Sequence, residues 1–178
     1  MLNCLSFRGG DTTRKNLLSQ LFSLTLNSIL VIYKSKVCLR MALKCIRSSI
    51  PVLNSISSSR FIEFYDYTAE NINKNPTVLF VPGFNSSGHG LKSQAFIKHC
   101  QSKNLRYVCY DPEGLGESKI EDMATLNFQH WFEDAETAIK QCQSDKIVLV
   151  GSSMGGWISL KMANENPDKI QGWLPLRI

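Results

Sequence analysis

The sequence predicts an α/β fold, a parallel sheet with crossover helices, on three observations. Thr77–Val81 (TVLFV) and Lys146–Val150 (KIVLV) are short, continuous apolar runs, as expected of strands buried on both faces. Segments of helical spacing alternate with such runs. Glycine-punctuated loops then follow the strands. The composition, 43% hydrophobic and 20% charged, is globular and excludes wholesale disorder, collagen and coiled coil. No uninterrupted apolar run reaches the roughly 18–20 residues that span a membrane, so no stable span is expected.

Each element follows in order. Phe61–Thr68 (FIEFYDYT) alternates weakly and reads as an early strand or hairpin arm, and 71–76 as a polar turn. TVLFV is the next strand, followed by Pro82-Gly83 and a loop rich in Ser, Asn and Gly. Leu91–Lys103 has helical spacing, with Leu91, Ala95 and Phe96 toward one face. Leu105–Tyr110 is a strand that ends in the glycine-containing loop Asp111–Ser118. Leu126–Cys142 is an amphipathic helix in which Thr125 is the expected cap. KIVLV leads into a sharp turn at Gly151–Gly155 and a helix ending near Asn164, before Pro167. Ile170–Leu176 begins one more strand.

The net charge of +5 is unevenly spread. Residues 1–60 hold nine Lys/Arg and a single acid, Asp11, whereas residues 61–178 hold eleven Lys/Arg and fourteen Asp/Glu. The expected organisation is therefore a basic, Ser-rich targeting or disordered segment over 1–60 and a mildly acidic domain over 61–178. That domain offers no large positive surface for nucleic acid. The basic segment has the composition of a mitochondrial transit peptide, and the stretch from Met41 reads as a compact presequence by itself. On that basis Met41 is a second candidate start. Secretory entry through the apolar stretch Leu21–Tyr33, or cytoplasmic retention, are the alternatives. The six cysteines, at 4, 38, 45, 100, 109 and 142, show neither C-x-x-C nor zinc-finger spacing. Reduced thiols are expected, with Cys109 in the core, and no metal site.

The chemistry concentrates at Gly151-Ser152-Ser153-Met154-Gly155, a G-x-S-x-G motif between an apolar strand and a helix. A nucleophile at the tip of so tight a turn forces small residues two before and two after it. Gly151 and Gly155 meet that need and centre the motif on Ser153, not on Ser152. The turn also aims a helix N-terminus at the reacting carbonyl.

Together FVPGF, YDPEGLGES and VGSSMGGW resemble the α/β-hydrolase superfamily. VGSSMGGW further resembles the mitochondrial palmitoyl-protein thioesterase and acyl-glucuronide esterase group, over about Phe61–Trp173. The resemblance implies an α/β-hydrolase fold and hydrolysis of acyl thioesters and activated esters. It also implies a mitochondrial location and no cofactor. Substrates would be acylated proteins or small acyl esters, attacked by Ser153 to give an acyl-enzyme. The oxyanion donors would be the backbone amides of Phe84 and Met154, with Gly83 allowing the turn that presents Phe84. Asp111 is expected to organise loops by accepting hydrogen bonds, with Gly114 and Gly116 providing unusual dihedrals.

The triad order in this superfamily is Ser, acid, His. The histidines, His89, His99 and His130, all precede Ser153. His89 is expected to be an exposed loop residue, and the other two helix residues at or near the surface. The acids after Ser153, Glu165 and Asp168, fall at the far end of its helix and read as surface or capping groups. The triad acid and base are therefore expected to be absent from this chain, and the fold incomplete at its C-terminus. Little or no esterase activity is expected of the chain alone. A catalytically inactive truncated or splice product and a generic carboxylesterase or lipase are the alternative functions.

Overall fold

The computed structural model describes residues 44–52, 60–68, 75–120 and 122–176. The strands are β1 (Cys45–Pro51), β2 (Phe61–Tyr67), β3 (Thr77–Val81), β4 (Tyr107–Asp111), β5 (Ile147–Ser152) and β6 (Ile170–Leu176). The helices are α1 (Leu91–Ser102), α2 (Phe128–Gln141) and α3 (Met154–Glu165). The strands form one sheet in the order β1-β2-β4-β3-β5-β6. β1 and β2 pair antiparallel, as do β2 and β4, and the other neighbours are parallel.

Every residue of β3, β4 and β5 is buried, which is why these strands read as unbroken apolar runs. Their alternation separates two cores. Leu79, Val81, Val108, Tyr110, Ile147 and Leu149 pack with Trp131 and Ala135 of α2 and Ile158 and Met162 of α3. The intervening side chains face α1, where the Phe80 and Phe96 rings lie 6.3 Å apart. On the same face the Ser93 and Tyr107 hydroxyls are 2.7 Å apart. Helices thus cover both faces of the sheet. Each fully buried Val, Leu or Ile contributes about 1.5–3 kcal/mol.

Several boundaries differ from expectation for local reasons. Leu105 and Arg106 do not belong to β4. Asn104 turns to φ 52, the Leu105 amide donates to the Cys100 carbonyl at 2.9 Å and the Asn104 amide to that of Gln101 at 3.2 Å. That pattern closes α1 and uses the amide that the strand would need. Asn127, not Thr125, caps α2, its side chain accepting from the His130 amide at 3.2 Å. Thr125 instead ends a short 3-10 turn, Met123–Thr125, capped by Asp122. Cys45, Cys100, Cys109 and Cys142 are free thiols, and Cys109 is fully buried as expected. Cys4, Cys38, Met41 and the stretch Leu21–Tyr33 lie outside the described residues. Among the described residues no helix is long and apolar enough to cross a membrane.

The larger correction concerns the boundary at 60/61. The sheet already begins at Cys45, because Ile50 and Val52 are buried against the same core as β2. A seven-residue strand disappears in a composition averaged over sixty positions. Arg60, counted as presequence charge, is only 8% exposed. Its guanidinium lies 3.0 Å from Glu113, 2.6 Å from Glu133 and 2.6 Å from Asp134. Glu113 also meets His130 Nδ1 at 2.7 Å, and its amide donates to Asp134 at 2.8 Å. The cluster binds the loop after β4 to α2 and to the entry of β2.

Asp134 is fully buried, and desolvation pushes its pKa up to about 7 against the opposing Glu113 amide and Arg60 charge. The folded state therefore holds this proton more tightly than the unfolded chain, whose carboxyl has an ordinary pKa of 3.8. The stability it confers is complete below the ordinary value and declines as pH rises through about 7. Urea unfolding should show stability falling between about pH 4 and 7 and levelling off above that, and Asp134→Asn should flatten that slope. An unchanged slope in the variant would contradict the assignment.

Candidate active site

Ser153 sits between β5 and α3 with φ 53 and ψ −119, a backbone region that L-residues other than glycine rarely occupy. Its neighbours explain how the strain is held. A Cβ on Gly151 would overlap the Gly155 carbonyl and the Ser159 hydroxyl. A Cβ on Gly155 would overlap the carbonyls of Val81 and Pro82 at the end of β3. The first turn of α3 is thus pressed onto both β5 and β3, which leaves no room for side chains at either position. The Ser153 amide donates to the Leu176 carbonyl at 3.0 Å and the Gly156 amide to the Ser153 carbonyl at 2.8 Å. Ser159 donates to the Gly155 carbonyl at 2.6 Å from within the helix. Ser153 is half-buried at the C-terminal edge of the sheet, where parallel α/β folds place their ligands.

The loop after β3 closes over the same edge. A Cβ on Gly83 would lie 2.7 Å from the Ser152 carbonyl oxygen and 3.3 Å from Ser153 Cβ. Gly83 is therefore needed for the close approach of this turn to the serine, without a left-handed φ. Phe84 follows directly. The residue is 69% exposed, and its ring meets that of Trp131 edge-on at 5.9 Å. Met154 opens α3, so its amide is one of the first-turn N–H groups that no helix carbonyl can satisfy. Trp157, one helical turn beyond Ser153, borders a shallow apolar groove of about 520 Å³ with Phe128, Phe132 and Leu160.

Asp111 ties two loops together. Its carboxylate accepts from the Gly88 amide at 2.6 Å, the Glu117 amide at 2.9 Å and the Tyr65 hydroxyl at 3.1 Å. Gly114 and Gly116 adopt φ 74 and 57, and a Cβ on Gly116 would strike the Asp111 carboxylate. Desolvation by burial and the charge of Asp111 push the Tyr65 phenol pKa up, keeping it a neutral donor.

The three histidines have other surroundings. His89 is half-buried, not exposed. It hydrogen-bonds the Tyr67 hydroxyl through Nε2 at 2.6 Å and packs edge-on against Tyr65 at 4.1 Å, because the Asp111 bonds fold its loop inward. Burial lowers its pKa. His99 lies in the last turn of α1, its pKa lowered by burial and by Lys103. His130 pairs with Glu113 on α2. Glu165 pairs with Lys161 on the exposed side of α3. Among the described residues no histidine hydrogen-bonds to Ser153, and no group of three or more His, Cys, Asp or Glu is arranged to hold a metal ion. One neighbour of the motif was missed from sequence: Lys92 of α1 donates to Ser152 Oγ at 2.9 Å. The visible signal was a lysine in the first turn of a helix, where the macrodipole disfavours it.

Two opposite stability changes test the elbow. Ser153→Gly releases the strained φ and should raise stability by about 1 kcal/mol. Gly155→Ala should lower it by about 3 kcal/mol, since backbone carbonyls must move. Urea unfolding of both variants checks the pair. A destabilised Ser153→Gly would contradict the strain.

A family model described as serine aminopeptidase, S33, matches residues 73–175. The rat mitochondrial palmitoyl-protein thioesterase ABHD10 is 32% identical over 97 residues, covering 54% of this chain and 32% of that protein. This chain thus spans about one third of the length of the curated relatives it matches. The solved mouse α/β hydrolase domain-containing protein 10 is similar with TM-score 0.61 and 26% identity, over 70% of this chain and 46% of that one. A crystal structure from Agrobacterium vitis S4 reaches TM-score 0.68 at 25% identity, over 74% and 52% of the two chains. Since the matched stretch takes in β3 to β6 and the serine turn between them, the chain belongs to the α/β-hydrolase family that this model, serine aminopeptidase S33, describes.

Proposed function

We propose that this chain carries the nucleophile of a serine acyl hydrolase acting on thioesters and activated esters. The strained backbone of Ser153 at the tip of β5 carries the proposal. Ser153 Oγ attacks the acyl carbonyl, the amides of Phe84 and Met154 stabilise the oxyanion, and water hydrolyses the acyl-enzyme. Leaving-group chemistry favours esters and thioesters over amides. A thiol, with a pKa of about 8.5, departs as thiolate without a proton, whereas an amine must be protonated to leave. The relatives named palmitoyl-protein thioesterase support S-depalmitoylation as the protein-level reaction, and acyl-glucuronide hydrolysis rests on the resemblance of VGSSMGGW alone. Their mitochondrial designation and the basic composition of residues 1–43 support mitochondrial import.

The test supplies a base from solution. The purified chain is exposed to a fluorophosphonate with and without added imidazole, and the modified residue is located by mass spectrometry. Label on Ser153, faster with imidazole and abolished in Ser153→Ala, is the expected outcome. A Ser153→Ala chain that labels equally would overturn the proposal. Turnover of p-nitrophenyl esters by the chain alone should remain near background.

A further inference from the structure

We infer that Lys92 is a positioning residue for the nucleophile: it holds the Ser152 hydroxyl and sets an unneutralised positive charge at the elbow. The role rests on Ser153 being the nucleophile. Four features of the structure carry it.

The first is the sheet parity. Gly151 faces α3, so the next residue, Ser152, points to the opposite face, which α1 covers. Lys92, the second residue of α1, reaches that hydroxyl at 2.9 Å. The second is burial. Ser152 is 4% exposed, enclosed by the Gly83 backbone, so its hydroxyl depends on a protein partner. The third is charge. Among the described residues no carboxylate pairs with Lys92, whereas Lys140 of α2 and Lys161 of α3 each pair with an acid one turn away. The fourth is placement. α1 has no acid in its first turn, and a lysine there opposes the helix dipole. The cation therefore occupies a position that helix stability disfavours, and it contacts Ser152, the residue next to the reacting serine. A positive charge there favours every anionic state of Ser153, from developing alkoxide to tetrahedral adduct.

The probe is a fluorophosphonate with imidazole as base. The Ser153 Oγ–P bond forms, the P–F bond breaks, fluoride leaves with the electron pair, and the serine proton passes to imidazole. Second-order rate constants for labelling at Ser153 are measured on the full chain at low and high salt. Lys92→Met should label about tenfold more slowly and lose the salt dependence seen in the unsubstituted chain. Lys92→Arg should recover most of the rate. Lys92→Gln keeps a donor without charge, so it should remain slow and salt-independent. In a Ser152→Ala background, Lys92→Met should have a smaller effect, since the contact through which it acts is gone. Melting temperatures of all variants check that the fold persists.

Lys92→Met and Lys92→Gln chains that both label at the unsubstituted rate would overturn the role of Lys92 alone. So would an arginine variant no faster than methionine, or a lysine effect undiminished by Ser152→Ala. An unsubstituted chain that takes no label at Ser153 would overturn the nucleophile and, with it, the role of Lys92.

Discussion

The structure depends on the close approach of three pieces of backbone around one strained serine. β3, β5 and the first turn of α3 meet so tightly that a Cβ at Gly151 or Gly155 would enter a carbonyl oxygen. Ser153 can hold φ 53 because neither side of the turn can relax without driving backbone into backbone. The energy for this comes from the fully buried strands on both sides, whose apolar side chains fill two separate cores. Strain at the tip and burial along the strands are therefore one arrangement, and the parallel sheet is what places the serine at its open edge.

Charged groups then fix the loops around that edge. Asp111 gathers the loop after β3 and the loop after β4 through Gly88, Glu117 and Tyr65. Arg60 gathers Glu113, Glu133 and Asp134, anchoring the second loop to α2. The cost of burying Asp111 and Arg60 is offset only because each has several partners. The loop that presents Phe84 is thus held by electrostatics at its far end and by Gly83 contact at its near end.

Much of this was legible in the residues. TVLFV and the strand Ile170–Leu176 have the bounds the sequence predicts, and α1 starts where predicted. Burial on both faces leaves a continuous apolar run, which is a local signature. Helix caps were less legible. Asn127 and Thr125 are both competent caps, and only the path of the chain into the 3-10 turn selects between them. β1 was not legible, because an edge strand of mixed polarity carries little signal until its partner is present. Arg60 looked like one more basic residue of a leader, and its partners lie about seventy positions away.

By itself the sequence determined the α/β class, the strand–turn–helix at 147–165 and the identity of the strained serine. These follow from steric rules acting over five residues, and glycine two places either side of a serine satisfies them wherever the chain goes. The tertiary structure alone decided which distant groups surround that serine: Gly83 against its Cβ, Lys92 on its neighbour, His89 turned toward two tyrosines. It also decided which acids are buried together beneath Arg60. Such contacts depend on sheet parity and strand order, which bring residues sixty or more positions apart within hydrogen-bond reach. No local pattern encodes that pairing, because the forces involved act through space, not along the chain.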